Sequence, residues 1–247
     1  MKNKDIYNNK FYDGRSRISD SAEVIVPLIL KLVKPKSVVD VGCATGEFLH
    51  VFKKNGINDM LGLDGDWVNK DRLCIPKEFF MPMDLNKPSK LNRSFDLIVS
   101  LETAEHLPEK NAKKFVSFLT SLGPVVLFSA AIYGQGGINH LNEQFQEYWA
   151  ELFKKEGYVA VDFLRKKIWD DERVSIYYAQ NILIYVKKDY LNTNKDLKKE
   201  FEQTNQSFIS IIHPKIYYPI IKKQKILGKF LPKPIKFVVG KLLRHIG

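Results

Sequence analysis

Residues 38–49 read VVDVGCATGEFL, and their types and spacing suit chemistry on a nucleotide. An apolar run carrying one acid, Asp40, enters a turn with Gly42, three small residues and Gly46. Glycine tolerates positive φ and lets a ligand approach the backbone closely. A helix opening near Gly46 would aim its unpaired N–H groups back over the turn. Strand, glycine turn and helix in that order build a nucleotide cradle. It is not the dinucleotide form G-x-G-x-x-G, because Ala44 and Glu47 stand where two glycines belong. Nor is it a Walker A loop, since no Gly-Lys-Ser/Thr follows.

Three later runs add acids at matching places. DMLGLDGDW (59–67) is a short apolar strand ending in Asp64, which lies 24 residues after Asp40, one βαβ step. A carboxylate there accepts two hydrogen bonds from a ribose diol. EFFMPMDLN (78–86) ends in Asp84 and Leu85, and SFDLIVSLETAEHLPE (94–109) has an apolar core with a polar exit. Four strands with polar exits on one sheet edge place a ligand at that carboxyl edge.

These segments resemble the class I S-adenosylmethionine-dependent methyltransferases. VVDVGCATG looks like the family's first motif, LGLDGD its second, MDL its third and FDLIVSLETAEHL its fourth, in the family's order and spacing. The resemblance spans about residues 20 to 187 and departs at Ala44, where glycine is usual. Residues 128–158 look like a small-molecule branch common among bacterial genes for surface-polysaccharide and secondary-metabolite modification. The resemblance implies that Gly42, Cys43 and Gly46 line the methionine part of S-adenosylmethionine, and that Asp40 orders the turn and reaches the cofactor's amino group. It implies further that Asp64 takes the ribose hydroxyls, that Gly65 and Trp67 border the adenine, and that Asp84 accepts from the adenine amino group. The Leu85 N–H would face the ring, and Ser100 and Glu102 would sit beside the sulfonium. Trp67 also reads as an ordinary half-buried aromatic, and Asp84 as a turn former before Asn86 and Pro88.

The acceptor end follows from the chemistry of methyl transfer. The cofactor supplies the leaving group, so the protein positions the acceptor and helps remove its proton. Histidine is the usual helper near neutral pH. Of five histidines, His50 falls on the helix after the cradle, on the wrong side, while His213 and His245 lie far downstream. His106 follows the fourth strand, and His140 lies in the glycine loop GQGGINHLNEQ after the fifth, so these two are the catalytic candidates. Asn142, Glu143 and Gln144 are acceptor contacts or, alternatively, the cap and first turn of the next helix. Tyr12 and Arg17 of the N-terminal lead would close over the site. No C-x-x-C pair occurs, and no metal site is expected.

The expected fold that holds these residues is α/β and Rossmann-like. A seven-stranded sheet, mostly parallel with an antiparallel last strand, is flanked by helices. Residues 1–19 form a lead or lid, 20–190 the methyltransferase domain and 191–247 a basic helical extension. A helix is expected over about 20–34, with Ser19 or Asp20 as N-cap and Glu23 completing a capping box. Further helices are expected near 46–55, 109–122 and 142–156, the last with Asn142 as N-cap and ending at Gly157. The fifth strand is 124–130, and the last two, 159–164 and 181–188, form an antiparallel pair at one edge.

With 247 residues, 45 % of them hydrophobic, the chain buries a sizeable core. The polar start MKNKDIYNNK lacks a signal-peptide core, no run reaches 18 apolar residues, and two cysteines argue for a reducing cytoplasm. Nine of the charges behind the net +11 lie beyond Glu202, the last acidic residue, leaving +2 before it. Within that tail Ile235, Val238, Val239, Leu242, Leu243 and Ile246 form one helical stripe, with Lys236, Lys241 and Arg244 around it. Such a helix suits peripheral attachment to an anionic membrane surface, or packing on the protein itself; nucleic acid is the lesser alternative. The resulting expectation is an O-methyltransferase acting on a sugar hydroxyl or related small polar acceptor in cell-surface polysaccharide biosynthesis. Its rivals are an RNA methyltransferase and a non-catalytic cofactor-binding module.

Overall fold

A computed structural model describes residues 16–219 together with 221 and 222, with side chains from Ile18 onward. Tyr12, the Arg17 side chain and the apolar stripe over 235–246 lie outside the described residues. Two compact units divide the chain after Ile211, and the sheet and the candidate site both belong to the first. The second begins with a short helix over 214–219. Among the described residues, no helix is long and apolar enough to cross a membrane.

Seven strands make one sheet in the order β3-β2-β1-β4-β5-β7-β6: β1 (Ser37–Val41), β2 (Asp59–Asp64), β3 (Phe80–Pro82), β4 (Leu97–Leu101), β5 (Val125–Ser129), β6 (Tyr158–Val161) and β7 (Leu183–Lys187). β1 pairs in parallel with β2 and β4, β2 with β3, and β4 with β5. β7 runs antiparallel to β5 and β6, so the last strand alone is reversed, as the sequence led us to expect. The strand order reverses direction between β1 and β4. In an open α/β sheet the crevice at that switch receives the ligand.

Alternation along the strands explains why both faces are apolar. In β4, Leu97, Val99 and Leu101 enter one core while Ile98 enters the other; Val125 and Leu127 of β5 part from Val126 and Phe128 in the same way. Helices α1 (Ser16–Val33) and α2 (Glu47–Lys54) cover the first face, and α3 (Ala112–Ser121) and α4 (Gln146–Lys155) cover the second. Phe153 of α4 stacks on Tyr185 of β7 at 3.8 Å between ring centroids, with Trp149 and Phe128 packed beside them. Burying each such ring contributes roughly 1.5–3 kcal/mol.

Beyond β6 come the short helices α5 (Arg165–Ile168) and α6 (Ile176–Asn181), and beyond β7 come α7 (Lys188–Leu191) and α8 (Lys195–Glu202). The stretch after α8 is tied to the sheet. Thr204 Oγ1 accepts from the Asp162 N–H (3.0 Å), Gln206 Nε2 donates to the Ala160 carbonyl (2.8 Å), and Arg165 Nη1 donates to that of Ile209 (2.8 Å).

Two helix starts differ from expectation. α1 already runs at Ser16, so Ser19, Asp20 and Glu23 lie inside it and form no capping box. Ile18, Ala22, Ile25, Val26, Ile29 and Leu32 give it an inward stripe that starts before the expected cap, while Glu23 is exposed and meets Lys54 of α2 (2.5 Å). α4 starts at Gln146, with Phe145 rather than Asn142 in the cap position and no side-chain cap. Asn142 is held elsewhere: its N–H donates to the Glu105 carbonyl (3.0 Å) and its Oδ1 accepts from Gln144 Nε2 (3.0 Å).

Candidate active site

The turn after β1 is fixed mainly by its backbone. Gly42, Ala44 and Gly46 have φ of 90°, 52° and 87°, all in the left-handed region. The N–H groups of Gly42 and Cys43 both donate to the Leu63 carbonyl of β2 (2.7 and 3.1 Å), and that of Gly46 donates to the Cys43 carbonyl (2.8 Å). Gly42 has a second reason to be glycine: a Cβ there would lie 2.2 Å from Thr103 Oγ1. α2 opens at Gly46, with Glu47 in its first turn accepting from Thr45 Oγ1 (2.5 Å). His50 lies on α2 and is exposed, its Nδ1 3.0 Å from the Cys74 carbonyl.

Asp64 ties this turn to the second acidic motif. Its Oδ2 accepts from the Ala44 N–H (2.8 Å) and its Oδ1 from the Gly65 N–H (2.6 Å). A carboxylate has about four acceptor positions, so holding two N–H groups is compatible with hydroxyl contacts as well. Gly65 is buried under the Trp67 indole, which a Cβ at 65 would strike at 2.2 Å. Asp40 is 5 % exposed at the end of β1. Cys43 is buried, and burial first, then the charges of Asp64, Asp40 and Glu47, pushes its thiol well above the usual range. Asp84 is exposed and its Oδ1 accepts from the Asn86 N–H (2.9 Å), the turn geometry its sequence context allowed, while Leu85 packs its side chain into the core.

The polar exit of β4 forms the other half. Ser100 is fully buried and its hydroxyl has no partner. Glu102 adopts a left-handed φ of 48° and its N–H donates to the Ser129 carbonyl and hydroxyl (both 3.0 Å). Its carboxylate accepts from Gln135 Nε2 (3.1 Å) and Asn181 Nδ2 (3.1 Å), bringing together β4, the loop after β5 and the end of α6. Burial raises the Glu102 carboxyl above its ordinary range, and the Asn181, Ser129 and Gln135 hydrogen bonds oppose that rise. Glu105 is fully buried and neither carboxyl oxygen makes a hydrogen bond of good geometry; burial first, then the Glu102 charge, raises it well above the usual range, against the pull of the Glu105 and Ala131 backbone N–H groups.

His106 and His140 come together, with ring centroids 5.0 Å apart and planes at 86°. His106 Nδ1 faces the Asn139 carbonyl (3.3 Å), and His140 Nδ1 faces Glu143 Oε1 (2.9 Å). Carbonyl and carboxylate oxygens only accept, so both rings carry their proton on Nδ1. Glu143 is itself anchored by the N–H groups of Gly134 (2.8 Å) and Gly136 (2.7 Å). The loop passes so close to His140 that a Cβ at Gly137 would lie 2.2 Å from Nε2. Of the three acceptor-contact candidates, Glu143 orients His140, whereas Asn142 and Gln144 bond each other.

Sequence reasoning missed Glu105, Thr103, Gln135 and Asn181. Glu105 stood beside His106, three residues after Glu102, so its signal was present. Gln135 and Asn181 carry none, because only the fold brings residues 46 apart to one carboxylate.

Comparison with known proteins agrees with the fold. A family model described as a methyltransferase domain matches residues 14–157. Among solved structures, the methyltransferase domain of a bacterial Hen1 superposes with a TM-score of 0.50 at 22 % identity, covering 68 % of this chain and 98 % of that one. Magnesium protoporphyrin IX methyltransferase from Synechocystis, with bound S-adenosylhomocysteine, gives 0.53 at 16 %, covering 73 % and 88 %. DesVI from Streptomyces venezuelae gives 0.52 at 17 %, covering 75 % and 98 %. No curated protein sequence matches the chain significantly.

Proposed function

We propose that this chain, which belongs to the S-adenosylmethionine-dependent methyltransferase family, transfers the methyl group to an oxygen of a small polar acceptor. One observation carries the reading. Thr103 packs against Gly42, so the glycine turn adjoins the segment that bears Glu102, Glu105 and His106. S-adenosylmethionine, the cofactor of the family, suits the residues present. The left-handed turn and the α2 N-terminus would hold its methionine end, Asp40 its amino group and Asp64 its ribose. Gly65, Trp67, Asp84 and Leu85 would border the adenine, and Ser100, whose buried hydroxyl lacks a partner, would face the sulfonium together with Glu102. The bound cofactor supplies an electrophilic methyl group and its leaving group.

The protein's own residues then position and activate the acceptor. His140, oriented by Glu143 and paired with His106, activates the acceptor hydroxyl; the loop from Ala131 to Phe145 closes around it. The family resemblance favours a sugar hydroxyl of a cell-surface polysaccharide precursor, made in the cytoplasm. The basic tail would then keep the enzyme at an anionic membrane surface.

Methyl transfer to RNA is a second reading. Lys90, Lys110, Lys113 and Lys114 line one groove of about 530 Å³ and favour a polyanion. An acceptor screen with labelled methyl donor separates the two. Label appearing on nucleotide sugars, free sugars or glycan precursors supports the first reading, and label on RNA alone replaces it.

A further inference from the structure

We propose that Glu105, His106 and His140 hold a divalent transition-metal ion, against the expectation from sequence that the chain has no metal site. One ligand-capable atom of each lies within 4.8 Å of those of the other two. Bonds of about 2.1 Å would draw these atoms to roughly 3–3.5 Å, within reach of side-chain torsions.

The independent sign is Glu105. Its side chain is 0 % exposed, neither Oε1 nor Oε2 makes a hydrogen bond of good geometry although the backbone N–H groups of Glu105 and Ala131 act on the carboxyl, and none of the described ion pairs includes it. Buried carboxylates are almost always paired, hydrogen-bonded or bound to a metal. Here the groups facing it across the cluster are two imidazoles.

The surroundings of those imidazoles are what a metal needs. Each gives its Nδ1–H to an oxygen, His106 to the Asn139 carbonyl and His140 to Glu143, so in the neutral imidazole the lone pair is on Nε2. Outer acceptors of this kind fix the tautomer and orientation of metal-bound histidines. The Gly134 and Gly136 N–H groups in turn hold Glu143.

One carboxylate and two imidazoles suit zinc, manganese, iron or cobalt better than calcium or magnesium. Three protein ligands leave coordination positions open for water or an acceptor oxygen. The role in catalysis, unlike the binding itself, rests on the methyltransferase reading. With Nε2 on the ion, His140 acts through the metal and not as the base: an acceptor hydroxyl on the ion becomes more acidic and loses its proton to water. Its oxygen then forms the C–O bond as the S–C bond breaks, and the electron pair stays on sulfur in S-adenosylhomocysteine.

The test uses the full chain, stripped with chelator and dialysed, and titrated with Mn²⁺ by electron paramagnetic resonance and with Zn²⁺ by calorimetry. The proposal expects one site per chain. It expects at least a tenfold loss of affinity in Glu105→Gln and His140→Asn, and a loss of about 10- to 100-fold in Glu143→Gln. Absence of saturable binding of either ion overturns it, as does binding that these variants leave unchanged. Should Glu105→Gln not fold, the other two variants carry the comparison. S-adenosylhomocysteine binding on the same samples keeps the two claims apart: cofactor without metal sinks only the metal site, and metal without cofactor sinks only the methyltransferase reading.

Discussion

The turn after β1 and the loop after β5 both carry glycines at the carboxyl edge of the sheet, yet they are held in different ways. In the first, backbone bonds backbone: Gly42 and Cys43 share the Leu63 carbonyl, and Asp64 closes the remaining gap. In the second, side chains do the holding: Glu143 gathers two glycine N–H groups and His140, and Glu102 gathers Gln135 and Asn181. Buried polar atoms without a hydrogen bond of good geometry, Ser100 Oγ, the Glu105 carboxyl oxygens and Asn142 Nδ2, lie on the β4 and β5 side. A cradle for an invariant cofactor can be built from main chain, which changes little with sequence. A site for one particular acceptor must be built from side chains.

That contrast predicts which variants affect binding and which affect turnover. Gly42→Ala should do the most damage. A left-handed φ costs a residue with a Cβ about 1–2 kcal/mol, and the collision with Thr103 adds about 1–3 kcal/mol. Thermal denaturation should show a midpoint lower by roughly 5–15 °C, with S-adenosylhomocysteine binding lost in calorimetry. His140→Ala should leave that binding intact and cut turnover by about 10²- to 10⁴-fold in a steady-state methyl-transfer assay. If it weakens cofactor affinity to the same degree, the two regions are not separable.

Asp64→Ala removes the acceptor of two N–H groups and should weaken S-adenosylhomocysteine by about 10- to 100-fold, with little change in the acceptor KM. The smallest expected effect is on thiol chemistry. Cys43 is buried with its thiol raised well above the usual range; Cys74 is exposed, and partial burial first, then the Glu47 charge, raises its thiol less. Thiolate is the reactive form, so iodoacetamide at pH 8 should label Cys74 in the native protein and reach Cys43 only in denaturant. Equal labelling of both by mass spectrometry would mean that the turn opens.

The same contrast explains what was legible in the sequence. Gly42, Gly46, Asp40 and Asp64 could be read because a backbone-built turn needs glycines and acids at fixed spacing. Apolar runs alternating with helical patterns pointed to an α/β sheet, the resemblance supplied its seven strands and reversed last strand, and the strand order came from the structure alone. The start of α4 could not be read: Asn142 has the right type for a cap, but the Glu105 carbonyl and Gln144 occupy it. α1 extended past its expected cap because its apolar stripe outweighs the local preference of Ser19 and Asp20. Glu105 was not singled out because only the fold shows that the carboxylate beside His106 is fully buried.

Titration of the full chain with S-adenosylhomocysteine by calorimetry tests the central claim most directly. Saturable one-to-one binding, lost in Gly42→Ala and kept in His140→Ala, is the predicted result. No heat with either S-adenosylhomocysteine or S-adenosylmethionine, from a protein shown to be folded, would contradict it.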